Sequence, residues 1–383
     1  MYEGWFGAYP DVHRIGCNTR QTDERGRTVA YHRHMSPSNI PTTMRAAVAH
    51  RVGEPLSIEQ VPVPTPAPGE ILIEVLACGI CHSDLHAVDG DWGTPPLMPL
   101  IPGHEVAGRV AACGDGVTGF EPGQLVGVPW MFWSCGTCEW CLAGMETICP
   151  STESTGFSKA GGYAEYLVAP AAFVATLPES VDPVAIAPIL CAGVTTYRGL
   201  KRTGLRPGQW LAVLGVGGLG HLAVQYAVAM GLRVIALDVD PDKLALATSL
   251  GASAVVNSRE TDPVAAVREL LGGTHGSIVT AAAPIAFEQA VGLLRPGGTA
   301  VYIGLPGNDR DTISASISRL VNDEITVRGS NVGTRLDLQE AVDFALRGQV
   351  AATVRQVTLD DVNDVFADMR AGRIVGRVVL TPR

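Results

Sequence analysis

Leu211-Ala-Val-Leu-Gly215-Val-Gly217-Gly218-Leu219-Gly220 is the stretch on which the architecture turns. Its apolar start reads as a short buried strand, its glycines as a Gly-x-Gly-x-x-Gly turn, and Leu219 to Met230 as an Ala-rich helix. Each glycine has its own physical task. One permits the tight turn, one lets the backbone approach a pyrophosphate, and one lets helix and sheet pack closely. The helix start then offers free amides and a partial positive charge to phosphates. A flexible turn could show the same glycines. Here a strand precedes them, a helix follows, and Asp238 closes the next strand 18 residues beyond Gly220, which marks a dinucleotide site.

Asp238 also bears on which dinucleotide binds. A carboxylate there accepts hydrogen bonds from the adenosine ribose hydroxyls. A 2′-phosphate would face it as a like charge, costing on the order of 4 kcal/mol at about 4 Å in a surface-like dielectric. No arginine lies in Val239-Asp-Pro-Asp, although Lys243 is near, so NAD is expected over NADP. The competing reading is that Asp238 only caps the next helix.

Outward from this stretch, strands (Trp210 to Leu214, Arg233 to Asp238, Ala254 to Asn257, Ile278 to Ala281, Ala300 to Ile303) alternate with helices (Lys243 to Leu250, Pro263 to Leu271, Phe287 to Leu293). That alternation predicts an α/β fold with a doubly wound parallel sheet. Val184 to Leu200 reads as mostly helical. Upstream, Ile71 to Ala77 reads as a strand, and Gly, Pro and Val-rich pieces continue to about residue 180, the composition of a β-rich domain. Downstream, a helix over Leu338 to Leu346 and short terminal strands are expected to return to that first domain. Residues 1–43 show no sustained period and read as an extension, disordered or upstream of the true start at Met44.

The 383 residues suit two domains at roughly 150 residues each. With 46% hydrophobic and 17% charged residues, general disorder is excluded. A formal net charge of -10 speaks against nucleic-acid binding. No run of 18 apolar residues predicts a membrane span, and 1–43 lack the apolar core of a secretory signal. Eight of the nine cysteines lie between Cys78 and Cys191, a clustering that reads as metal binding in a reducing cytoplasm.

Cys135-x-x-Cys138-x-x-Cys141-x7-Cys149 places four thiolates in one loop, 135–149. Four cysteine ligands wrap a tetrahedral zinc with no open position, which is a structural site. A second set is dispersed: Cys81-His82-Ser83-Asp84-Leu85-His86, then Gly103-His104-Glu105, then Cys191-Ala-Gly-Val-Thr195. No local spacing proves that these meet, and each residue alone could be core. Two cysteines and a histidine are nevertheless the ligand set of a catalytic zinc with an open fourth position.

With these motifs the chain resembles the zinc-containing medium-chain alcohol dehydrogenases of the bacterial and yeast tetrameric kind. Gly103-His104-Glu105-x2-Gly108-x5-Gly114-x2-Val117, Cys-His-Ser-Asp-Leu-His, the four-cysteine loop and Gly-Val-Gly-Gly-Leu-Gly-His carry the likeness, from Met44 to the C-terminus. It implies a GroES-like catalytic domain (44–195 and 334–383) split around a Rossmann domain (196–333). It also implies a homotetramer, NAD and two zinc ions per chain, with Cys81, His104 and Cys191 on the catalytic one. Ser83 and His86 would relay the alcohol proton, Asp84 would orient His104, and Glu105 could swing onto the zinc. His82 and Arg335 would contact the pyrophosphate, and Thr195 would lie beside the nicotinamide. Gly304, Leu305, Ser330 and Val332 would border its ring. Trp92 and Trp130 would line a pocket for small primary alcohols.

Zinc brings bound water from a pKa of 15.7 to about 7, and an alcohol should respond similarly before hydride leaves for the nicotinamide. Two rivals remain. An NADPH-dependent aldehyde reductase of the same superfamily is opposed by Asp238. A non-catalytic zinc-binding relative would not need Cys81, Ser83, His86, His104 and Cys191 together.

Overall fold

The structure is a computed structural model that describes residues 40–307 and 312–383. Most of the expected N-terminal extension, 1–39, lies outside the described residues. Its last four belong to the fold, so the first domain begins before the boundary expected at residue 44. Ile40 packs on a cluster around Met44 and Ala46, and Thr43 opens the strand Thr43–Val48.

The six-stranded sheet is parallel throughout and runs Ala254–Asn257, Arg233–Asp238, Trp210–Leu214, Thr274–Val279, Leu294–Tyr302, Thr326–Gly329. Its central strands are unbroken apolar runs because helices cover both faces. Leu211 to Leu214 and Val234 to Leu237 are buried. Strand order reverses at Trp210–Leu214, whose C-terminal end opens the crevice where such sheets take ligands. Local chemistry fixes the helix starts. Asp240 and Asp262 cap Pro241–Ser249 and Pro263–Leu271, each followed by proline at the first helical position.

The second sheet has seven strands. Val354–Thr358 and Arg377–Thr381 pair in parallel, and Arg377–Thr381 then meets Glu70–Ile80 antiparallel. Glu105–Cys113, Leu125–Val128 and Ala175–Thr176 continue it, with Tyr166–Pro170 on Glu70–Ile80. The C-terminus therefore joins residues 70–176 in one sheet.

Several expected elements differ. The strand expected at Ile278 to Ala281 is Thr274–Val279, and Thr326–Gly329 adds an edge strand. The short strands expected after Leu346 are Val354–Thr358 and Arg377–Thr381, and an unexpected helix, Val362–Arg370, lies between them. The boundary placed at 195/196 falls inside a continuous helix, Ala192–Thr203, which Cys191 precedes. Among the described residues, no single helix is long and apolar enough to cross a membrane.

Candidate active site

Cys81 directly follows the strand Glu70–Ile80 of the seven-stranded sheet and caps the helix His82–Asp89, so the residues after it are carried on that helix. That helix buries Leu85, Ala87 and Val88 in the core, while His82, Ser83, Asp84 and His86 serve chemistry. Asp84, fully buried, accepts four hydrogen bonds. Its Oδ2 takes the Cys81 N–H (2.9 Å) and the Tyr163 hydroxyl (2.8 Å); its Oδ1 takes the Gly103 N–H (3.0 Å) and lies 2.8 Å from His104 Nδ1. A carboxylate can only accept, so Nδ1 keeps its proton and Nε2 is the nitrogen that can offer a lone pair to a metal. Burial lowers the pKa of His104, but Asp84 and Cys81 outweigh it and raise the group well above the usual imidazole value, so a metal would take Nε2 by displacing a proton.

Around that nitrogen the ligand atoms of Cys81, His104, Glu105 and Cys191 all lie within 4.8 Å of one another, every residue buried. The contact with Cys191 holds Cys81 well below an ordinary thiol, and the same contact together with burial raises Cys191 well above one. Glu105 pairs with the guanidinium of Arg377. Burial raises its pKa and Arg377 opposes, leaving it at about 7. A Cβ at Gly79 would stand 1.8 Å from Glu105 Oε2, so glycine is required for the carboxylate to lie there.

The Cys135, Cys138, Cys141 and Cys149 sulfurs form a second group within 4.8 Å. Cys135 Sγ lies 3.9 Å from Cys141 Sγ and 3.6 Å from Cys149 Sγ. Four sulfurs about 2.3 Å from one centre would stand about 3.8 Å apart, so the loop fits a tetrahedral zinc. The Thr137 and Cys138 amides aim at Cys135 and draw its pKa down to about 6.

At the glycine turn three positions are closed by their surroundings and one is open. A Cβ would meet Ala281 at Gly215, Arg377 Nη1 at Gly218 (2.8 Å) and the Gly215 carbonyl at Gly220 (1.8 Å); at Gly217 nothing lies within 4 Å. Leu219 precedes the helix Gly220–Ala229. Asp238 accepts from the Val216, Val239 and Asp240 amides. A carboxylate has about four acceptor sites, which leaves room for a hydroxyl donor. Capping of the next helix falls to Asp240, so Asp238 is free of that task. Lys243 stands only 3.9 Å from Asp240. Desolvation lowers the pKa of His82; Cys81 opposes the shift, and the cations Arg377 and Lys243 add to it.

Nine buried side-chain polar atoms lack a partner among the described residues, and six belong to Trp92, His104, Glu105, Thr195, Ser330 and Arg377. Such atoms are costly unless a polar ligand meets them. Val332 adds backbone strain, with φ 39° at a β-branched residue. Gly304 is needed because a Cβ would lie 2.4 Å from the Ala281 carbonyl; Leu305 beside it is exposed. Trp130 meets the His104 ring edge-on at 4.7 Å, and Trp92 packs on Trp130 (5.9 Å), Phe157 (5.4 Å) and His86 (5.8 Å). His86 Nδ1 lies 2.6 Å from Asp91 Oδ2, and Ser83 is half-buried on the same helix.

Arg335 is placed differently from the expectation. Its guanidinium and amide are held by Glu146, and it stacks on Phe173. The arginine beside the glycine turn is Arg377, which the sequence reading missed. A charged residue at an inward position of the strand Arg-Val-Val-Leu-Thr was its only signal. Tyr163 and Phe157 were missed too; neither sits in a recognisable motif.

Two family descriptions match the chain: "Alcohol dehydrogenase GroES-like domain" over residues 67–179 and "Zinc-binding dehydrogenase" over 218–347. An alcohol dehydrogenase of Moraxella sp. (strain TAE123) is 52% identical over 337 residues, 88% of this chain and 99% of that protein. One from Geobacillus stearothermophilus is 49% identical, covering 88% and 98%. The crystal structure of the alcohol dehydrogenase from Aeropyrum pernix superposes with a TM-score of 0.82 at 35% identity, covering 88% of this chain and 100% of that one.

Proposed function

The chain belongs to the zinc-containing medium-chain alcohol dehydrogenases, and from that premise we propose that it interconverts small primary alcohols and aldehydes with hydride transfer to NAD. The observation that carries this reading is the unpartnered His104 Nε2, facing Cys81 and Cys191 beneath Trp130. Two thiols and an imidazole fit a zinc with an open position, and the four-cysteine loop fits a second, closed one. Bound zinc supplies Lewis acidity that lowers a hydroxyl pKa, and bound NAD supplies the hydride acceptor.

The chain's own residues do the rest. Asp84 and Tyr163 fix the imidazole so that Nε2 keeps one direction. Glu105, able to hold or lose a proton near neutrality, offers a further oxygen to the cluster. Ser83 passes the alcohol proton toward His86, which Asp91 orients. Trp92, Trp130 and Phe157 exclude water and leave room only for a short alkyl chain. On the cofactor side, Gly217 gives the pyrophosphate its approach, with the neutral His82 imidazole as a nearby hydrogen-bond donor and Arg377 as the cation. Asp238 receives the ribose, while Thr195, Ser330 and the Val332 backbone border the nicotinamide. Arg335, bound to Glu146, is left out of this scheme.

The protein is proposed to work in the cytoplasm, supported by eight described cysteines that are all free thiols. A homotetramer is proposed as well. Ile317, Val321 and Val327, exposed at the outer edge of the parallel sheet, give an apolar surface for it. The test pairs metal analysis with a substrate panel. Two zinc ions per chain, and turnover of ethanol and propanol with NAD faster than with NADP, are expected. One zinc or none, or a preference for NADP, would sink the reading; light scattering checks the assembly.

A further inference from the structure

One buried histidine behind the glycine turn has no part in the scheme above. His221 is the second residue of the helix Gly220–Ala229 and is fully buried. Its Nδ1 lies 3.0 Å from the Gly217 carbonyl oxygen, which can only accept, so Nδ1 carries the proton. The Thr353 N–H donates to Nε2 at 3.3 Å, so Nε2 is bare. These contacts specify one neutral tautomer. Burial draws the pKa down to about 4, against the hydrogen bond to Gly217, so the ring stays neutral at working pH.

One turn further on, Gln225 Nε2 donates to the Ala351 carbonyl (2.9 Å), and Gln225 Oε1 accepts the Ala351 N–H (3.0 Å). The Thr353 carbonyl accepts the Arg377 N–H at 2.8 Å. Arg377 then reaches back, with Nη2 on Glu105 and Nη1 against Gly218. Gly217 is therefore tied through His221 to the C-terminal segment, and Arg377 of the same segment lies close against Gly218. The Cβ side of Gly217 remains open, while its carbonyl is anchored behind.

We propose that His221 is a positioning residue for the dinucleotide. Its Nδ1–H tautomer sets the glycine turn against the Thr353–Arg377 segment, so that the turn's amides and the Arg377 guanidinium converge on one pair of phosphates. The proposal rests on reading residues 215–220 as the dinucleotide site.

The zinc-loaded protein is compared with His221→Phe, which keeps the ring's bulk, and His221→Asn, which keeps an N–H in the place of Nδ1. NAD affinity is read by fluorescence titration beside KM, kcat and zinc content. His221→Phe is expected to raise Kd and KM for NAD about tenfold, the effect of one net hydrogen bond. Its kcat at saturating NAD and its zinc content should be unchanged, and His221→Asn should recover most of the affinity. Unchanged NAD affinity in His221→Phe, a fall in kcat alone, or no rescue by Asn overturns the proposal. Should His221→Phe fail to fold, 15N NMR of the wild-type histidines decides. Protonated Nδ1 and bare Nε2 at neutral pH support the proposal; an Nε2–H tautomer or an imidazolium overturns it. A wild-type protein that binds neither NAD nor NADP refutes the dinucleotide reading itself and takes the proposal with it.

Discussion

A single proton decides what His104 can do. Asp84 fixes that proton on Nδ1, and the remaining nitrogen faces two sulfurs and a carboxylate with no partner of its own. The arrangement makes Cys191 a sharp test, because it supplies one thiol and touches none of the glycine turn. Cys191→Ala is expected to lose one zinc per chain and all measurable turnover, with NAD still binding in a fluorescence titration. Retained activity would remove Cys191 from the site. At this scale the sequence was legible only where spacing is local. Four cysteines within 15 residues declare a metal loop, whereas Cys81, His104 and Cys191 needed the family likeness to be grouped. Arg377 escaped because a lone arginine in a short apolar strand has no spacing to read, and Arg335 was preferred to it on likeness alone. Only the fold shows that Glu146 holds Arg335 while Gly218 lies beside Arg377.

Helices and strands were readable where packing chose their residues. Trp210–Leu214, Arg233–Asp238, Ala254–Asn257 and Pro263–Leu271 keep their expected bounds, since short apolar strand runs and Asp-Pro helix starts write themselves into sequence. His82–Asp89 was not foreseen, because over eight residues its buried Leu85, Ala87 and Val88 are interrupted by the His, Ser and Asp that function requires. Val362–Arg370 did carry a signal: buried Val362, Val365, Phe366 and Met369 recur at helical spacing, but over only nine residues. Two elements support predictions. Asp337, 3% exposed in the first turn of Arg335–Leu346, binds Arg198 (2.6 Å) and Lys201 (2.9 Å) of Ala192–Thr203. Burial raises its pKa, but hydrogen bonds from Thr334, Lys201 and Arg198 prevail and leave it at about 2, against an ordinary 3.8. A carboxyl depressed that far contributes about 2 kcal/mol of stability above pH 4, lost as pH falls through 2. Asp337→Asn should therefore be less stable at pH 7 and converge with wild type near pH 2 in urea titrations. A constant difference across that range would refute the linkage. The cysteine loop is the second element. Its Glu146 and Thr147 hold Arg335 and Asn331, flanking strained Val332. Cys138→Ser should lose the closed zinc, lower Tm and raise KM for NAD, with the other zinc retained; an unchanged KM would uncouple loop from cofactor.

Across the whole molecule, the site is assembled from both sheets. The seven-stranded sheet delivers Cys81 and Glu105 from neighbouring strands, and its late strand Arg377–Thr381 lies between Val354–Thr358 and Glu70–Ile80. Arg377, the first residue of that strand, spans from Glu105 to the turn that follows the parallel sheet's first strand. Dinucleotide binding should therefore stabilise both sheets together, by about 2.7 kcal/mol at 100 times Kd. Arg377→Gln isolates this link. Glu105 is already at about 7 with the guanidinium beside it, so without the guanidinium it rises further and is neutral when buried, which spares the fold an unpaired charge. The variant is expected to fold and to hold zinc, but a charge-assisted contact worth roughly 1.5–3 kcal/mol is lost on the phosphate side. At a fixed NAD concentration its Tm should rise much less than that of wild type. An equal NAD-induced rise would mean that Arg377 serves Glu105 alone, and that the two sheets are joined at the cofactor by something other than this strand.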